Sequence, residues 1–202
     1  MLFPPCKNQS CAASLNEITS MEGSAFLRFL MNRRKELLML VDEDDRYLGE
    51  KEKEECHRDT GCLHSAFLVM ITNATAELMQ ARRSEKKRLW PHFWDGTVAG
   101  HFYRRENPEA SIKRRVLKEI GVSCGHLEFL FKFRYQAVFK DIGAENEICH
   151  FYKADNLNPE DIALNPDEVS EYKFSSLPKL KEEIESSPEI YTPWFLIALR
   201  KL

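Results

Sequence analysis

The sequence predicts an α/β protein (α+β in some classifications), a mixed sheet with helices on both faces. Three observations carry this. Apolar or alternating runs of strand length recur through the chain. Short polar turns join several of them as hairpins. Amphipathic segments of helical period fall between and after them. A sheet that mixes hairpins with helical crossovers is covered on both sides. At 202 residues and 43% hydrophobic, the chain can fill one proper core.

Residues 1–13 read as a tail. Ser14 and Glu17 make a capping box for a helical stretch bearing Leu15, Ile18, Met21, Phe26 and Phe29, divided by Gly23. It is expected to pack outside the catalytic core, with a lid or a homodimer contact as alternatives. Residues 36–41 (ELLMLV) form a strand, 42–45 a turn, and 46–49 the return of a hairpin. The run KEKEE at 51–55 is expected on a solvated face. Residues 1–50 are therefore taken as an N-terminal extension with a first hairpin, and 51–202 as the main domain.

Residues 57–64 (HRDTGCLH) form a polar, Gly-containing loop, and the two histidines at its ends could meet one ion. Residues 65–72 (SAFLVMIT) make an apolar strand buried on both faces. A turn at 73–75 leads to a strand at 76–83. Arg82, Arg83, Lys86, Lys87 and Arg88 then cluster with Trp90 and Trp94. Such interleaving suits single-stranded nucleic acid, but the patch is short and the chain carries a net charge of -3, so no nucleic-acid partner is expected.

The central helix is strongly marked. Asn107 can cap it, Pro108 takes the first position, Glu109 suits the positive end and Gly121 can stop it. Ile112, Val116, Leu117 and Ile120 are read as one apolar stripe, with Glu119 beside it, one turn beyond Arg115. A strand, a loop opening at Gly100, and a helix with an acid in its last turn form a diphosphate-and-metal layout. Basic groups neutralise phosphate oxygens and the acid holds the divalent ion that bridges them.

Beyond the helix, residues 127–137 and 145–154 read as strands joined by a turn at 141–143. Strand geometry puts Glu145, Glu147 and Cys149 on one face. Two adjacent carboxylates need a cation or a shared proton; an exposed acidic edge is the alternative. A loop at 156–166, a strand at 168–174 and two helices, at 177–186 and from Pro193 on, complete the chain. His57, His64, His101, Glu145 and Glu147 are three imidazoles and two carboxylates from three segments, an ample set for a transition-type ion such as Mn or Zn.

Gly100, Glu106, Arg114, Glu119, Gly121 and Val122 match the spacing of the Nudix signature, in which Arg115 and Lys118 replace two acids. The chain resembles the type I isopentenyl-diphosphate isomerases of that superfamily. The run WPHFWDGTVAGH is similar to that family's W-P-G-x-W-T-N-x-x-C-G-H, with Ala99 at the catalytic cysteine. The resemblance implies an α/β/α sandwich and a metal site at His57, His64, His101, Glu145 and Glu147. It implies a Mg ligand at Glu119, with the backbone carbonyl of Ala99 as a further ligand. It places diphosphate binding on Lys53, Arg83 and Lys87, an active-site aromatic on Trp194, and proton transfer on Glu147 with Tyr135. The family's reaction is a 1,3-allylic proton shift between two prenyl diphosphates. Ala99 has no proton to give or take. Hydrolysis of a prenyl or other small diphosphate is therefore the favoured expectation, isomerisation with another acid the second, and non-catalytic diphosphate binding the third.

Neither a bilayer-length apolar run nor a secretory pattern is present in the sequence, so no membrane partner is expected. Six scattered cysteines suggest reduced thiols in the cytoplasm.

Overall fold

The computed structural model describes residues 36–202. The helical stretch expected at 14–29, together with Cys6 and Cys11, lies outside them. Among the described residues nine strands are formed: β1 (Leu37–Val41), β2 (Tyr47–Glu52), β3 (His64–Asn73), β4 (Leu78–Arg83), β5 (Trp94–Asp95), β6 (Val98–His101), β7 (Glu128–Phe139), β8 (Gly143–Leu157) and β9 (Val169–Ser175). Four α-helices accompany them: α1 (Lys53–Cys56), α2 (Pro108–Ile120), α3 (Leu177–Ser186) and α4 (Pro193–Arg200). Among the described residues, no helix is long and apolar enough to cross a membrane.

The sheet is mixed and built around β3. That strand pairs antiparallel with β1, β4 and β6, and parallel with β8. β7 closes on β8 as a long hairpin, and β9 lies along β4. The first hairpin is tied in where Leu40 faces His64. Alternate residues of β3 feed two cores, as the two-residue period of a strand requires. Phe67, Val69 and Ile71 pack under α2 with Ile112, Val116 and Ile120. Leu68 and Met70 pack on the other side with Leu180 and Ile184 of α3 and Phe195, Ala198 and Leu199 of α4. The result is the expected helix–sheet–helix sandwich.

α2 follows its sequence signals. The Asn107 side chain accepts from the Ala110 amide at 2.7 Å, and Gly121 ends the helix at φ 73°. Glu106 accepts from both Arg114 and Ser111, fixing the loop that enters the helix. Leu117, however, is 58% exposed and lies off the apolar stripe. Five residues separate it from Ile112, which turns it about 140° away at helical pitch. Arg115 and Glu119 take buried places on that face instead. The close approach of α2 depends on Gly100, where a Cβ would lie 3.0 Å from Phe67 and 3.2 Å from the Arg115 stem.

Element boundaries differ from expectation in places. β2 continues to Glu52, and the charge run then turns into α1, whose Cys56 is buried. β4 begins at Leu78, because the Asn73 side chain binds the amides of Thr75 and Glu77 and prolongs the turn. Glu145, Glu147 and Cys149 are 7%, 6% and 1% exposed, so that face of β8 is no acidic edge.

The C-terminus of α2 is a sensitive point. A Cβ on Gly121 would sit 2.7 Å from the Ala163 carbonyl oxygen, at a backbone conformation L-residues avoid. Gly121→Ala is expected to destabilise the fold by about 1–3 kcal/mol, read as a lower denaturant midpoint at unchanged m-value.

Candidate active site

The loop between His57 and His64 is closed by its own backbone. The Cys62 amide donates to the Cys56 carbonyl at 2.8 Å, and the Gly61 amide to Arg58 at 2.8 Å. The Asn146 side chain grips the Gly61 carbonyl, and the Ala144 amide donates to the His57 carbonyl. These bonds bring His57 against β8. The pairing of β7, β8 and β3 then sets Tyr135, Glu147 and His64 in one row, and the next row holds Cys149, Ala66 and His101. Odd-numbered β8 residues and even-numbered β3 residues share this face.

The three imidazoles converge. Their ring centroids stand 5.0 to 5.4 Å apart, mutually tilted by 44° to 49°. His57 Nε2 lies 3.1 Å from Glu145 Oε2, His64 Nε2 3.3 Å from Glu147 Oε1, and His101 Nε2 3.2 Å from that same oxygen. Ligand atoms of His57, His64, His101 and Glu145 all fall within 4.8 Å of one another. Donors about 2.1 Å from one ion stand roughly 3 to 4.2 Å apart, so the cluster is close to ion-binding size. His57 Nε2, His64 Nε2 and Glu145 Oε2 are buried without a hydrogen-bond partner, which is costly unless something binds them. His64 Nδ1 lies 2.8 Å from the Cys62 carbonyl, so in the neutral ring Nδ1 carries the proton and Nε2 offers the lone pair that an ion would need. Two buried carboxylates balance a divalent charge. The donor set fits a transition-type ion.

Electrostatics at the centre divide the roles. Burial, then His64, Lys53 and His57, push His101 well below the usual imidazole range. Lys53 thus exerts its charge on this centre. Burial acts to raise Glu147, but hydrogen bonds and charge from His64, with the Tyr135 bond, hold it below the ordinary value. Tyr135 donates to Glu147 Oε2 at 2.5 Å, and burial with the Glu147 charge keeps its hydroxyl protonated. Burial likewise keeps the Cys149 thiol protonated.

A second cluster lies along β6 from the first. Ala99, two residues before His101, lines a cleft with Arg83, Lys87, Asp95, Glu119 and Glu168. Glu119 receives Arg115 at 2.6 Å and Lys87 at 3.6 Å. Glu168 is the hub: Arg115 reaches it at 2.8 Å, Lys118 at 2.6 Å, and Lys87 in a short ion pair. Burial opposes ionisation of Glu168, yet Arg115, Lys87 and Lys118 hold its carboxyl far below the usual range. Arg115 and Lys118, which replace two acids of the signature, thus find their counter-charge on a distant loop.

Arg83 and Trp194 are held by one residue the sequence reading missed. Asp95 is buried and accepts from the Trp194 indole at 2.8 Å, Thr192 at 3.1 Å, the Gly96 amide at 2.8 Å and Arg83 at 3.3 Å. Arg83 also donates to the Trp90 and Leu89 carbonyls, and its guanidinium stands 5.2 Å from the Trp194 ring. Trp194 lies 5.9 Å from Tyr135, closing an aromatic wall beside Glu147. Asp95 stands where the resembled segment has Thr, a visible clue; Glu168 had no local signal.

Two outcomes follow. Mn or Zn added to metal-stripped protein should raise Tm, equivalent to about 2.7 kcal/mol at a hundredfold excess over Kd; in His64→Ala that rise should vanish. Glu168 has a depressed folded-state pKa, so its ionisation contributes stability that is complete above the ordinary value of 4.5 and lost as pH falls below it. The Tm gap between wild type and Glu168→Gln should be constant at neutral pH and narrow in acid below about pH 4.5.

Comparison with known proteins places this geometry in a family. Residues 63–195 match the NUDIX domain. The chain is 34% identical over 161 residues to isopentenyl-diphosphate Delta-isomerase 1 of Photorhabdus laumondii, covering 79% of this chain and 90% of that one. It is 34% identical over 163 residues to the isopentenyl-diphosphate Delta-isomerase of Citrobacter koseri, covering 80% and 89%. Among solved structures, DR0079 of Deinococcus radiodurans superposes with a TM-score of 0.66 at 20% identity, over 82% of this chain and 98% of that one. A MutT NUDIX hydrolase of Burkholderia pseudomallei superposes at 0.55 and 17%, over 69% and 98%. At those identities the structures speak for the fold alone. The matched domain and the relatives together establish that this chain belongs to the Nudix family, in its isopentenyl-diphosphate isomerase-like branch, and is an enzyme.

Proposed function

We propose that this enzyme hydrolyses a prenyl or other small diphosphate in a metal-dependent reaction. His57, His64, His101, Glu145 and Glu147 hold a Mn or Zn ion in this reading, and Glu119, with the Ala99 carbonyl, a Mg ion. The ions supply charge neutralisation and Lewis acidity when bound. Lys53, Arg83 and Lys87 neutralise the diphosphate oxygens, joined by Arg115 and Lys118. Tyr135 and Trp194 present an aromatic wall to the organic end. Glu147, ionised and oriented by the Tyr135 hydroxyl, is the general base that takes a proton from water as the water oxygen bonds to phosphorus, the bridging P–O bond breaks and phosphate leaves. Residues 51–202 form the catalytic domain, 1–50 an extension, and the cytoplasm is the expected location.

The observation that carries hydrolysis is the methyl group at Ala99. A 1,3-proton shift needs a donor on one face of the double bond and an acceptor on the other. Hydrolysis needs a single base, and Glu147 with Tyr135 supplies one. A second reading, isomerisation, is favoured by the names of the sequence relatives and by one side chain. Cys149 is a protonated thiol in the same apolar cluster as Tyr135 and Trp194, with Ala99 packed against that cluster. It could serve as a displaced proton donor.

Metal-loaded protein incubated with isopentenyl diphosphate in deuterated water separates the two. Phosphate release supports hydrolysis. Deuterium entering the methyl group without phosphate release sinks it and supports isomerisation, and Cys149→Ser should then slow the exchange. Glu147→Gln should lower either activity by about 10²–10⁴-fold; retention of full activity removes Glu147 from the mechanism. Ala99→Cys should raise isomerisation sharply.

A further inference from the structure

We propose that the Glu168 side chain is the built-in occupant of the diphosphate seat, and that an anionic ligand binds by displacing it. The inference rests on reading the cleft beside Ala99 as that seat. Three of the cations that would grip a phosphate are already turned onto one carboxylate. Lys87, Arg115 and Lys118 all end on Glu168, which accepts from Arg115 as a two-pronged pair, at 2.8 and 3.5 Å. The free space left between Arg83, Lys87, Ala99, Glu119 and Glu168 is about 10 Å³, room for one water at most. A phosphate group enters only if something leaves.

Of the two carboxylates in the seat, Glu168 is the one able to leave. Glu119 projects from the last turn of α2, and its side chain is 6% exposed. Glu168 lies on the turn that enters β9, with its side chain 12% exposed and paired to Lys118, whose side chain is 52% exposed. Its backbone is pinned: its amide donates to the Asn165 carbonyl at 2.9 Å, and its carbonyl accepts from Ser84 at 3.0 Å. The movement is therefore a rotation of one side chain toward solvent, with the loop staying in place. A carboxylate is a fair imitation of a phosphate edge, since both take forked hydrogen bonds from guanidinium. While it sits there, it keeps three like charges from repelling one another.

Occupancy of this kind weakens every ligand of the seat by the fraction of time the seat stands open. A side chain that fills it nine-tenths of the time raises the apparent Kd about tenfold. The sign is diagnostic. If Glu168 merely organised the cations or held a metal, its removal would weaken binding.

Calorimetric titration of the full chain with inorganic pyrophosphate, magnesium present, tests this. Glu168→Gln should bind about tenfold more tightly than wild type, although it melts earlier. Glu168→Asp keeps the charge but withdraws it by one methylene, and should also bind more tightly, by a smaller factor. Glu171→Gln, an exposed control paired with Arg82, should leave affinity unchanged. Equal or weaker binding by Glu168→Gln overturns the proposal, as does tightening by Gln with none by Asp, which would mean charge alone is responsible. Should Glu168→Gln fail to fold, Glu168→Asp decides. If neither wild type nor either variant binds pyrophosphate, the seat itself is misread and the proposed function falls with it. A crystal of the pyrophosphate complex should show the Glu168 carboxylate swung off Lys87 and Arg115; its presence there beside the bound anion would refute displacement.

Discussion

The parallel pairing of β3 with β8, which sets His64 beside Glu147, is the constraint from which the centre follows. A parallel pair has no hairpin to fix its register. It is fixed here by burial on both faces, since a one-residue slip would turn Glu145, Glu147 and Cys149 into the apolar layer under α2. The same register puts Tyr135 in reach of Glu147 through β7, and His101 in the adjoining row through β6. Three strands, β3, β6 and β8, thus hold four of the five donors, and only His57 depends on a loop. That loop is bonded back to β8 at Ala144 and Asn146. Donors placed by a sheet keep their geometry when the ligand leaves, which suits a centre that must bind before it reacts.

Two buried charge clusters share β6, and they are balanced differently. Around His64, acids and imidazoles meet with no fixed cation among the five side chains, so the balance has to be completed by a bound ion or by protons. Around Glu168 the cations meet carboxylates that the protein itself supplies. The first arrangement leaves orphaned ring nitrogens; the second leaves almost no space. A polar site that offers unpaired donors in one half and is self-filled in the other has its binding energy arranged ahead of the ligand, and part of the fold's stability is spent on that arrangement.

Between the clusters lies an apolar wall whose position depends on Asp95. One carboxylate fastens the start of α4 through Thr192 and Trp194, and the end of β4 through Arg83. Its burial would be unfavourable alone; four donors offset the lost water. Trp194 therefore lies against Tyr135 because a charge holds its indole nitrogen, while apolar packing from Trp90 fills the other side.

Much of this was legible in the order of residues. The caps of α2, the apolar run of β3, the hairpins and the spacing of Gly100, Glu106, Arg114, Glu119 and Gly121 are local features, and local steric and hydrogen-bonding preferences express them directly. Leu117 misled because its angle from the stripe becomes decisive only once α2 has a partner surface. Asp95 and Glu168 were passed over for a deeper reason. Their meaning comes from Trp194, 99 residues on, and from Lys87, 81 residues back. A carboxylate in a string is an ordinary polar residue; burial and the donors around it make it an anchor or a plug. The linear chain, then, dictated the elements and the kinds of donor, because those rest on short-range chemistry. The folded chain chose which donors meet and which charges cancel, because the Coulomb energy of a buried pair depends on distance and solvent exclusion that exist only after the sheet has closed.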